Sequence, residues 1–101
     1  MSAEATRLDL IDDVDGTLVV VGEIDSYTAP ALAERLSADP GTLVLDLAGV
    51  SFIDSSGLRI LIEAHQSRID ADASLTLRSP SAAVQRLLEI SGLSAHLDVT
   101  A

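Results

Sequence analysis

The chain has 101 residues, 48% of them hydrophobic but 2% aromatic, enough for one domain over residues 1–101 whose core must be Leu, Ile, Val and Ala. Its net charge is −10, and its six basic residues, all arginines (Arg7, Arg35, Arg59, Arg68, Arg78 and Arg86), are scattered, so no basic patch exists for direct contact with nucleic acid or an anionic membrane. Without cysteine there is no disulfide, thiolate zinc site or cysteine nucleophile, and without lysine no P-loop.

Residues Arg7 to Asp13 mix Leu8, Leu10 and Ile11 with aspartates and predict an edge strand. Asp15-Gly16 predicts a hairpin turn. Thr17 to Val21 is a continuous β-branched run, a buried strand that ends within Gly22-Glu23-Ile24-Asp25. Ser26-Tyr27-Thr28 before Ala29-Pro30 marks a helix start. Leu32, Ala33 and Leu36 give that helix one apolar face, and Asp39-Pro40-Gly41 stops it.

Thr42 to Leu47 predicts a second buried strand, followed by Ala48 to Ile53 and then the run Asp54-Ser55-Ser56-Gly57-Leu58. From Leu58, apolar residues at Leu61, Ile62, His65 and Ile69 keep helical spacing, and Arg59 and Glu63 are placed to pair across one turn of the outer face. Ala73 to Arg78 alternates as a strand with one polar face. Ser79-Pro80 predicts the cap and first residue of a third helix lined by Ala83, Val84, Leu87 and Leu88 and stopped at Gly92. Leu97 to Val99 predicts a last short strand. The order β-β-α-β-α-β-α-β predicts a mixed, mostly parallel sheet with helices packed against it.

The chemistry concentrates in the serine run. A loop leaving a buried strand turns there into a helix, whose first turn offers free N–H groups and partial positive charge. Gly57 adds no side chain, so a phosphate or a partner's backbone can approach. A phosphate on Ser56 would meet donors at such a helix mouth. Asp, Ser and Gly are also ordinary capping residues, so the run can equally do no more than start a helix.

Nucleophilic catalysis lacks its parts. The elbow motif needs Gly two positions on either side of the serine, and Ser55 has Ile53 before it. His65 lies nine residues after Ser56, ~14 Å along a helix rising ~1.5 Å per residue, and His96 has no visible partner. Asp25, Asp46 and Asp54 near strand ends could converge on Mg²⁺, or be turn, strand-end and cap residues. A receiver domain of the response-regulator type is similarly small and acidic but relies on a lysine, and the chain has none.

The stretch Leu43-Val44-Leu45-Asp46-Leu47 through Val50-Ser51-Phe52-Ile53-Asp54-Ser55-Ser56-Gly57-Leu58 resembles the STAS domain of bacterial anti-sigma factor antagonists. Gly22-Glu23-Ile24-Asp25 and Leu87-Leu88-Glu89-Ile90-Ser91-Gly92-Leu93 match the same family in order, so the resemblance covers nearly the whole chain. It implies a STAS fold with a single mixed sheet of about five strands flanked by helices. It also implies phosphorylation of Ser56 by a serine kinase that is itself the anti-sigma factor, and reversal by a metal-dependent serine phosphatase. The unphosphorylated form would bind the anti-sigma factor and free the sigma factor. Asp25 would sit beside the phosphoacceptor and Asp54 directly before it, with Ser26, Thr28, Ser55, Gly57 and Leu58 completing the switch and partner-binding set. Arg59 is not diagnostic. No catalytic residue, cofactor or metal is expected, and the chain is expected to be a monomer or weak dimer. The acidic N-terminus, without an apolar stretch, predicts no signal peptide and cytoplasmic residence. The alternative is a stand-alone STAS subunit of a lipid-transport or stress-signalling assembly that uses the same surface without phosphorylation.

Overall fold

The computed structural model describes residues 8–39 and 41–101. Its elements are β1 (Leu8–Asp12), β2 (Leu18–Ile24), α1 (Ala29–Ala38), β3 (Leu43–Ile53), α2 (Ser55–Asp70), β4 (Leu75–Arg78), α3 (Ala82–Ser91) and β5 (Asp98–Thr100). The expected order of elements is therefore the observed one. Arg7 and Pro40, placed at a strand end and a helix stop by sequence, lie outside the described residues.

The sheet runs β1-β2-β3-β4-β5, with β1 antiparallel to β2 and the remaining neighbours parallel. The β1–β2 hairpin closes because Gly16 adopts φ +87 and Asp15 accepts a hydrogen bond from Thr17 N–H at 3.0 Å. Each later strand pairs with the one before it through a crossover helix. Right-handed crossovers advancing in one direction put every helix on the same face. The burial pattern agrees with that arrangement: Leu18, Val20 and Ile24, then Leu43, Leu45 and Leu47, then Leu75 and Leu77 are buried at alternate positions. They join Leu32 and Leu36 of α1, Leu58 and Leu61 of α2, and Val84 and Leu88 of α3 in one apolar cluster.

Several boundaries differ from the sequence expectation. β2 continues through Gly22, whose φ is +120, and the β2–β3 register shifts beside it. The strand ends at Ile24, inside the Gly22–Asp25 stretch where the sequence ends it. β3 runs unbroken to Ile53, so its C-terminal end comes level with that of β2, with Ile24 opposite Ile53. β5 is Asp98–Thr100. α3 starts at Ala82 with Ser81 as its cap, whose hydroxyl accepts from Val84 N–H at 3.3 Å. Ser79 and Ser81 instead donate backbone N–H groups to Thr100 and Leu47, holding this stretch to the sheet before the helix begins. Gly92 does close α3, at φ +74.

Candidate functional site

The level ends of β2 and β3 bring two loop-to-helix junctions side by side. Asp54 N–H donates to Ile24 O at 3.2 Å, tying the junctions together. Each junction is capped by an aspartate. Asp54, in extended conformation, accepts from Ser56 N–H at 2.8 Å and Gly57 N–H at 3.4 Å through one carboxylate oxygen. Asp25 accepts from Tyr27 N–H at 2.9 Å and Thr28 N–H at 3.0 Å, while Thr28 Oγ1 accepts from Asp25 N–H at 2.9 Å. This reciprocal pair is a capping box three residues long. Thr28 Oγ1 also lies 2.7 Å from Glu23 O, its donor contact into the end of β2. Thr28 is the N-cap position of α1, as the sequence places the helix start, but its side chain bonds no N–H of the helix; the side-chain acceptor is Asp25, one turn earlier.

The sequence expectation of free donors at the mouth of α2 needs correction. Two N–H groups of its first turn are already satisfied by Asp54. Gly57 also plays a different part from the one expected. It is buried, and a Cβ built on it would fall 2.5 Å from Ile24 Cγ2 and 2.9 Å from Ile53 Cγ1. Its missing side chain lets α2 press onto the ends of β2 and β3 and does not open a path to the surface. Leu58, 8% exposed, belongs to the core.

What faces outward is a groove of about 380 Å³ between the first turns of α1 and α2, lined by Ser26, Ala29, Pro30, Ser55, Ser56, Arg59 and Ile60. Ser55 is exposed and Ser56 half-buried. Neither hydroxyl has a hydrogen-bond partner among the described residues. Arg59 is exposed and makes no ion pair there; the expected bond to Glu63 is not formed. Sequence reasoning passed over Arg59, although its i,i+3 spacing from Ser56 puts both on one helix face. Tyr27, 84% exposed, follows Ser26 on the loop before α1.

Asp46 does not join Asp25 and Asp54. It lies on the helix-free face of the sheet, where Arg78 on β4 donates to it at 3.1 Å. No cluster of three metal-ligating acids, histidines or cysteines occurs among the described residues. His65 and His96 stay apart from the serines; Nδ1 of His65 is buried without a hydrogen-bond partner. No helix of the described residues is long and apolar enough to cross a membrane.

Residues 5–100 match the model of the STAS domain. The chain belongs to that family. It is 37% identical over 92 residues to the anti-sigma-B factor antagonist of Listeria monocytogenes, covering 87% of this chain and 79% of that protein. Among solved structures, an anti-sigma factor antagonist from Mycobacterium paratuberculosis superposes with a TM-score of 0.78 at 30% identity, over 99% of this chain and 90% of the other. The Bacillus cell fate determinant SpoIIAA in its phosphorylated form has the same fold, with a TM-score of 0.68 at 20% identity over 93% and 91% of the two chains. The relatives of this STAS domain are thus anti-sigma factor antagonists.

Proposed function

We propose that this chain is an anti-sigma factor antagonist that binds an anti-sigma factor through the paired junctions at Asp25–Thr28 and Asp54–Ser56, and that a phosphate on Ser56 switches the binding off. The observation that carries this reading is the serine pair at the mouth of α2. Both hydroxyls lack a partner among the described residues, on a turn capped by Asp54, in a chain 37% identical to an anti-sigma-B factor antagonist. The caps fix the backbone, so the serines stand ready without further ordering. The partner is an anti-sigma factor with serine kinase activity, and a serine phosphatase restores the binding form. The chain acts by occupying its partner and not by turning over a substrate.

The charge arithmetic favours such a switch. A phosphoserine adds about −1.5 to −2 charge at neutral pH, next to Asp25 and Asp54. A partner surface shaped for a neutral hydroxyl then meets like charges, which cost several kcal/mol across an interface. Each ~1.4 kcal/mol is tenfold in affinity, so binding is lost without any rearrangement of the fold.

The test combines labelling and pull-down with the cognate anti-sigma kinase and ATP. Ser56→Ala is expected to lose the label and keep binding, and Ser56→Glu to lose binding. Ser55 is the more exposed of the two, so Ser55→Ala is run beside them. Label that disappears only with Ser55→Ala moves the acceptor by one residue. Equal recovery of the partner with Ala and Glu at position 56 would sink the charge switch.

A further inference from the structure

A phosphate on Ser56 needs counter-charge, and the backbone at this end of the molecule supplies little. The N–H groups of Ser56 and Gly57 already donate to Asp54, and those of Tyr27 and Thr28 to Asp25. The nearby ionisable groups on the packed elements are acidic as well: Asp25 before α1, Asp54 before α2 and Glu63 one turn beyond Arg59; His65 lies further along α2. Arg59 is the exception. It sits one turn after Ser56 on the same face of α2 and lines the same groove as Ser26, Ser55 and Ser56. Its guanidinium has no ion pair or hydrogen bond among the described residues.

We propose that Arg59 is an internal receptor for the phosphate on Ser56, with the Ser26 hydroxyl as a second donor from the opposite wall of the groove. This rests on Ser56 as the acceptor. A guanidinium presents two parallel N–H groups to two phosphate oxygens, a pairing stronger and more directional than a point charge provides. The spacing of i and i+3 on a helix brings the two side chains within reach. Ala29, Pro30 and Ile60 line the groove beside them, and their apolar surface displaces water from the pair. The phosphorylated state is then a shaped state. The phosphate folds into the groove instead of projecting from the turn, and Arg59 is withdrawn from any partner that contacts it in the unmodified protein.

The test places phosphoserine directly at position 56 of the full chain by co-translational incorporation and follows the phosphate by ³¹P NMR titration. The second ionisation of an unrestrained phosphoserine falls near pH 6. With Arg59 present it is expected about half a unit or more below that of the Arg59→Gln protein, because an adjacent cation favours the dianion. Arg59→Lys retains part of the shift, since it keeps the charge and loses the fork. Ser26→Ala gives a smaller upward displacement. Arg86→Gln, a change to an exposed arginine on α3, leaves the midpoint unmoved. Equal midpoints in the wild type and Arg59→Gln overturn the proposal, and so does an equal rise in Arg59→Gln and Arg86→Gln, which would report overall charge only. Because the phosphate is installed without a kinase, failure of a kinase to label Ser56 counts against the acceptor assignment and leaves this result readable.

Discussion

At the C-terminal end of α2, Arg68 is 2% exposed, and its guanidinium donates to four backbone carbonyls: Leu36, Asp39, Gly41 and Ala64. At the N-terminal end of the same helix, Arg59 is exposed and donates to none among the described residues. The first arginine is part of the architecture. The last carbonyls of a helix have no partners of their own, and Arg68 reaches across to satisfy Leu36 and the residues after α1 while laying positive charge against the negative end of its dipole. Burial pushes the Arg68 pKa down and the Asp39 carboxylate pulls it back up, yet an arginine remains charged throughout the working range of pH. One end of α2 thus uses cationic hydrogen bonding to hold α1 and α2 together. The other end satisfies its backbone with Asp54 and leaves its cation and its serine hydroxyls available.

The largest effect expected from this contrast is on stability. Arg68→Leu strips donors from the carbonyls of Leu36, Asp39, Gly41 and Ala64 and is expected to cost roughly 3 kcal/mol, read by urea unfolding at neutral pH. Arg59→Leu is expected to stay within about 0.5 kcal/mol of wild type in the same assay, as for an exposed side chain without partners. Comparable losses in both variants would break the distinction between the two ends.

The functional end has a structural requirement of its own, directly beneath the serines. Gly57→Ala forces a methyl to 2.5 Å from Ile24 Cγ2 and 2.9 Å from Ile53 Cγ1. Both neighbours lie at the ends of core strands, so the first turn of α2 has to lift. Overpacking of this kind costs about 1–3 kcal/mol, partly offset by the better helix propensity of alanine. The expected outcome is a moderate loss in urea unfolding together with slower labelling of Ser56 in the folded protein. A variant that keeps wild-type stability and labelling would mean that α2 does not depend on this close approach.

Much of this contrast could be read in the sequence, but not its buried half. Asp54 before two serines announces a helix start, Thr28 before Ala29-Pro30 marks the start of α1, and Asp25 with Thr28 three residues later carries capping-box spacing. Alternation in Ala73–Arg78 shows the core face of β4, the apolar run Thr42–Leu47 shows a buried strand, and Gly92 marks the end of α3. Arg68 escaped because a charged residue on a helix reads as solvent-facing. Its signal was position: it lies seven residues after Leu61, two turns along the same stripe, whereas Ile69, expected on the apolar face, is 49% exposed. Gly57 was misread because a glycine shows that space is needed without showing on which side. The start of α3 slipped by two residues because Ser79 and Ser81 bond to the sheet through their backbones, a tertiary demand that outweighs the local Ser-Pro signal.

A third arginine sharpens the comparison with the smallest effect. Arg78 lies opposite Asp46 across β3 and β4 and donates to it at 3.1 Å, with their side chains 35% and 22% exposed respectively. The Asp46 carboxyl is held below its ordinary value of 3.8, first by the backbone N–H of Ala48 and then by Arg78, against the opposing effect of burial. A carboxylate with a depressed pKa contributes stability that is present above its unfolded pKa and is lost as pH falls through the lower folded value. Asp46→Asn is therefore expected to cost under about 1 kcal/mol at neutral pH, with the gap to wild type closing only as the pH drops below 3.8. The two partners of Asp46, one backbone and one side chain, separate the variants. Because the Ala48 N–H holds the carboxylate alongside Arg78, Arg78→Gln should retain part of this pH dependence, and Asp46→Asn should abolish it, when urea unfolding is measured from neutral pH down to below that value. If Arg78→Gln removes the dependence as fully as Asp46→Asn does, the arginine rather than the backbone sets the carboxylate, and Arg78 joins Arg68 as part of the architecture.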